Sequence, residues 1–151
     1  MAAGWMREVA PGVQSNDEYV APRGIFVIVM DDATPMPVAD VSQARSIARR
    51  VIERLGPQDL AAVVFTFNQP AGQQFTHDRA RLLSAIDRFN GSIDALPRID
   101  GTVVPFDRFD ATASTLYRAT IATLRVVAEH LIKLPQRRKA LVFVSVGVPF
   151  D

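Results

Sequence analysis

The chain of 151 residues contains no cysteine. Disulfides, thiolate metal sites and cysteine nucleophiles are thereby excluded, while the redox compartment stays open, because a cysteine-free chain is at home in either. Histidine is scarce: His77 and His130 are the only two, one reading as a first-turn surface residue and the other as part of the polar side of a long helix. No Gly-x-Ser-x-Gly elbow occurs, so a serine nucleophile of that kind is missing. Glycine-rich phosphate loops are missing too, since Gly72 and Gly101 stand alone and Gly91 follows a helical pattern. An excess of one charge is also lacking. Seventeen basic residues face sixteen acidic ones for a net charge of +1, which gives no electrostatic reason to expect nucleic acid or a membrane surface as partner. No apolar run approaches the roughly 18 residues of a membrane span, and the start Met1-Ala-Ala-Gly-Trp5-Met-Arg-Glu8 lacks the basic and apolar regions of a signal peptide. Localisation is left unassigned.

What is present is an ordinary globular composition, 48% hydrophobic and 22% charged, with enough residues for one domain and its core. The chain is organised around Gly24-Ile-Phe-Val-Ile-Val-Met-Asp31-Asp32-Ala-Thr34-Pro-Met-Pro37. The uninterrupted, β-branched run from Ile25 to Met30 predicts a strand buried on both faces. It stops at two carboxylates, a hydroxyl residue and two prolines, the composition of a loop at the carboxyl end of a parallel strand, where open α/β sheets keep their sites.

Residues 1–23 read as an irregular lead-in, which Trp5 and Tyr19 could pin to the body, and residues 24–151 as the domain. Asp40-Val-Ser-Gln43 has the form of a capping box with Asp40 as cap, and the apolar positions Val41, Ala44, Ile47, Ala48, Val51, Ile52 and Leu55 then predict a one-faced helix ended by Gly56-Pro57. Asp59 to Phe67 predicts a second strand, parallel to the first through a right-handed crossover. After a turn at Asn68 to Gly72, Gln73 to Phe75 is too near for another crossover and returns antiparallel at the edge. Thr76-His-Asp-Arg79 opens a helix that Asn90-Gly91 closes. Ser92 to Ala113, with Asp94, Asp100, Asp107 and Asp110, reads as a long loop. A helix from about Ser114 to Leu134 follows, apolar at Leu116, Ala119, Ile121, Leu124, Val127, Ala128 and Leu131. Gln136-Arg-Arg-Lys139 reads as a solvated turn, and Ala140 to Val144 as a fourth buried strand.

The order β-α-β-β-α-α-β predicts a doubly wound, Rossmann-like α/β sheet, mostly parallel, in the order 3-2-1-4 with strand 3 antiparallel at the edge. The switch point then lies between strands 1 and 4. It brings together the Asp31 loop, the start of the long helix near Ser114 and the loop after Val144.

The strand ending at Asp31, the segment Gly56-Pro-Gln-Asp59 with its following strand, Thr76-His-Asp-Arg, Ser114-Thr-Leu-Tyr-Arg-Ala119 and Arg138-Lys-Ala-Leu-Val-Phe-Val-Ser-Val-Gly147 succeed one another as in von Willebrand factor A-type domains. The chain resembles most the bacterial von Willebrand factor A-related branch, over about Arg23 to Gly147. The resemblance implies a protein-interaction, adhesion-type module, non-catalytic, in a family whose members are often extracytoplasmic. It also implies a divalent cation, usually magnesium, held by an Asp-x-Ser-x-Ser loop, a threonine and an aspartate. Asp31 fits the first position and Ser114 the threonine position, but the serine positions fall on Ala33 and Pro35 and the last aspartate on Val146. The implied site is therefore degenerate, with Asp32, Thr34, Asp107 and Asp110 as possible substitutes, and Asp31→Ala is expected to change stability little.

The resemblance further implies that the domain is incomplete after the fourth strand, whose apolar edge would then be covered by protein or by self-association. A different class of function stays open at this point. Paired Asp31-Asp32 also resembles the acidic pair of phosphoacceptor receiver domains on a flavodoxin-like sheet, with an acidic phosphoacceptor or magnesium site, although Phe67-Asn68 stands where that reading needs an aspartate.

Overall fold

The apolar run from Gly24 to Met30 becomes the strand on which everything else is built, because it is the one strand with a parallel neighbour on each side. In a computed structural model of the chain, which describes residues 24–91, 98–99, 102–103, 110–135 and 138–147, β1 (Gly24–Met30) pairs with β2 (Leu60–Phe65) and with β6 (Arg138–Val144), both parallel. β3 (Gln73–Thr76) pairs antiparallel with β2, giving the order β3-β2-β1-β6. This is the 3-2-1-4 order expected from the sequence, β6 being the fourth strand of the sheet. Two further short strands, β4 (Arg98–Ile99) and β5 (Thr102–Val103), form a separate antiparallel ladder inside the stretch expected to be loop. The lead-in with Trp5 and Tyr19 lies outside the described residues, as do Asp94, Asp100 and Asp107.

Alternation along β1 divides the core in two. Ile28 and Met30 face α1 (Val38–Glu53) and α2 (Arg79–Asp87), in a cluster with Ala44, Ala48, Ile52, Phe65, Leu82, Ile86 and Phe89. Ile25, Val27 and Val29 face the other way, against Leu131, Leu124 and Val127 of α3 (Asp110–Lys133). Each fully buried aliphatic side chain contributes roughly 1.5–3 kcal/mol, so a strand buried on both faces anchors both layers. The Phe65 and Phe89 rings meet at 5.9 Å in a tilted pair. The half-buried Asp59 carboxylate ties the start of β1 to the turn before β2, accepting from Gly24 N at 2.6 Å and Gly56 N at 2.7 Å.

The helix and strand ends follow the local sequence signals only in part. α2 is capped by Asp78, whose carboxylate accepts from Ala80 N and Arg81 N. α1 instead starts at Val38 with Pro37 in the cap position and no side-chain cap, which places Asp40 in the first turn, where its charge favours the helix dipole. α3 begins four residues earlier than expected, at Asp110. Its buried face is also rotated from the expected one: Thr120 and Thr123 are buried, while Ile121 is 66% exposed. Arg138 and Lys139 belong to β6 and not to a turn, and the Arg138 guanidinium lies 5.9 Å over the Phe26 ring.

Candidate functional site

The carboxyl ends of β1, β2 and β6 converge with the buried face of α3 on the Asp31 side chain. This is the switch point, where strand order reverses beside β1. Asp31 is 2% exposed, and four hydroxyls lie within hydrogen-bond distance of its two oxygens. Thr34 donates to Oδ2 at 2.8 Å and Ser145 to the same oxygen at 2.7 Å. Thr66 faces Oδ1 at 3.0 Å and Thr120 at 3.1 Å. The donors come from the loop after β1, the loop after β6, the end of β2 and the middle of α3.

Asp32 turns to the β2 end. Its Oδ1 accepts from Phe67 N at 2.7 Å and its Oδ2 from Asn68 N at 2.9 Å, so one carboxylate holds the turn that follows β2. Thr66 stands between the two acids, 3.1 Å from Asp32 Oδ1, and accepts from Ala33 N at 3.1 Å. A hydroxyl has one hydrogen, so Thr66 serves Asp31 or Asp32 at any moment. Thr123 adds a longer bond to the Thr66 carbonyl at 3.4 Å. Among the described side chains, every buried polar atom has a partner, which is what makes two adjacent buried acids tolerable.

Of the residues singled out from the sequence, Asp31, Asp32 and Thr34 meet in this cluster. The α3 hydroxyl that reaches Asp31 is Thr120, six residues beyond Ser114; at 1.5 Å rise per residue that is roughly 9 Å along the helix axis. The side chains of Ser114 and Asp110 lie outside the described residues, as does Asp107. Next to Val146, Ser145 supplies the contact to Asp31. Thr66, Thr120 and Ser145 were missed in the sequence. The available signal was the 120/123 spacing, which puts two threonines on the same helical face as Leu124, Val127 and Leu131. The four donors to Asp31 also revise the expectation that replacing it is nearly neutral.

His77 and His130 are both exposed, each within 2.9 Å of a backbone carbonyl, that of Asp59 and that of Val126. Neither shares a hydrogen bond with the cluster. Among the described residues no three histidine, cysteine or acidic side chains gather as a metal cluster, and no helix is long and apolar enough to cross a membrane. Comparison of the chain with protein-family models, with curated proteins and with solved structures finds no match in any of the three.

Proposed function

We propose that the chain is a von Willebrand factor A-like protein-interaction module, non-catalytic, in which the metal-site position is held by a self-satisfied cluster of hydroxyls and carboxylates. The observation that carries this reading is the saturation of Asp31. Magnesium takes one or two carboxylates and keeps several waters in an octahedral shell. Here Asp31 accepts from Thr34, Ser145 and Thr120, Asp32 accepts from two backbone N–H groups, and Thr66 is shared between the two acids. With Asp31 and Asp32 at 2% and 6% exposure, neither acid offers the open position at which an ion would meet water or a partner's carboxylate. The donor set therefore fits an open ion shell poorly. The same burial speaks against Asp31 and Asp32 as general acid, general base or phosphoacceptor, each of which must reach its substrate.

The cluster does organise the surface above it. Asp32 fixes the backbone of Phe67, which is 57% exposed, and Asp31 binds Ser145, next to Val146 at 47% exposure. Two apolar side chains thus flank the hydrogen-bonded centre, the composition of a small contact patch. The test is capture of binding proteins by the native chain and by a Phe67→Ser, Val146→Ser double variant of unchanged circular dichroism. The variant is expected to lose the partner retained by the native chain. Turnover of a phosphoester or ester panel that Asp31→Ala abolishes would contradict the proposal and favour an enzyme.

A further inference from the structure

We infer that a second copy of this chain pairs antiparallel with the outer edge of β6, joining two four-stranded sheets into one of eight. The inference concerns a surface separate from the Phe67 and Val146 patch and does not rest on the reading of that patch. Its basis is the direction of the backbone groups. Asp31 N donates to Val144 O at 2.9 Å, so Val144 points its N–H and C=O toward β1. In a parallel ladder this direction alternates from residue to residue. Arg138, Ala140, Val142 and Val144 therefore serve β1, and Lys139, Leu141 and Phe143 direct their N–H and C=O groups outward. Among the described residues no strand meets that edge.

These three outward residues are self-complementary under a two-fold axis through Leu141. Leu141 meets Leu141 of the second copy, and Lys139 meets Phe143 on either side of it. All three pairs are then of the hydrogen-bonded kind, and every outward N–H and C=O finds a partner. Leu141 and Phe143, at 37% and 40% exposure, share the sheet face of Val27 and Val29 by register. The pairing therefore sets leucine against leucine and a lysine stem against a phenyl ring, both favourable cross-strand contacts. Charge selects the same arrangement. A parallel pairing would place the Arg138-Lys139 ends of the two copies together, whereas the antiparallel one separates them to opposite ends of the ladder.

Sedimentation equilibrium of the full chain tests this, together with Phe143→Lys and Phe143→Glu variants. Both remove the same ring. The lysine variant faces Lys139 of the second copy with a like charge and is expected to be monomeric. The glutamate variant faces it with an opposite charge and is expected to stay dimeric, dissociating as salt is raised. Amide exchange gives a reading independent of either variant's folding: the Lys139, Leu141 and Phe143 amides should be protected at high protein concentration and lose that protection on dilution. A native chain that stays monomeric overturns the inference, including the case in which deleting residues 1–23 creates the dimer, since that segment would then be what covers the edge. Equal dissociation of both folded variants, or exchange protection independent of concentration, overturns it as well.

Discussion

Thr120, in the middle of α3, places its hydroxyl 3.1 Å from Oδ1 of Asp31 at the end of β1, across 89 positions of sequence. The contact ties the α3 layer to the central strand through a buried polar group. Ser145 makes the corresponding tie from the other side, 2.7 Å from Oδ2. One carboxylate thus joins β1, β2, β6 and α3, and its removal leaves four hydroxyls without their common acceptor. Hydrogen bonds to charged groups contribute about 1.5–3 kcal/mol each, and less when several share one acceptor. Asp31→Ala is expected to lower unfolding free energy by roughly 3 kcal/mol, read from urea denaturation. A loss below the error of the extrapolation would place the hydroxyls' real partners elsewhere.

Thr66 separates a shape effect from a hydrogen-bonding one. Valine matches its volume but neither donates nor accepts, so Thr66→Val withdraws a donor from Asp31 and Asp32 together. The expected cost is about 2 kcal/mol, with Thr66→Ser costing less than half of that. Equal costs for the two variants would mean that the methyl group, and not the hydroxyl, holds the position.

The turn that follows α2 carries a backbone prediction. Gly91 has φ +60°, and a Cβ there would lie 2.9 Å from Val41 Cγ2. Both the left-handed conformation and the contact oppose a side chain. Gly91→Ala is expected to cost about 1–2 kcal/mol from conformation alone, and more if Val41 cannot shift. A thermal midpoint equal to that of the native chain would show that the turn rearranges freely.

The strand order was legible because three apolar runs read as strands of one sheet and right-handed crossovers leave few arrangements, although β6, read as buried, is buried only at Val144. The position of Asp31 was legible for the same reason, since a buried parallel strand that ends on an acid delivers it to the switch point. The donors around it were harder to read. Thr120 and Thr123 count as polar in any hydrophobic period, so α3 read as if Ile121 and Ala128 faced the sheet. Burial of the threonines becomes favourable only once Asp31 and the Thr66 carbonyl stand opposite them, a fact of tertiary structure. The start of α1 was misread because Asp40 imitates a cap while Pro37, with φ −58°, is already extended at the helix entrance. Arg138 and Lys139 looked like a solvated turn because charge at a strand's first residues carries no period.

Calorimetric titration of the native chain with magnesium, repeated on Asp31→Ala, bears most directly on the claim that the cluster is closed and self-satisfied. A closed cluster is expected to give no saturable heat in either titration at millimolar magnesium, and no rise in thermal midpoint on adding the ion. Micromolar binding to the native chain that disappears in Asp31→Ala would contradict it, because the four hydroxyls would then be ligands of an ion and not the ion's replacement.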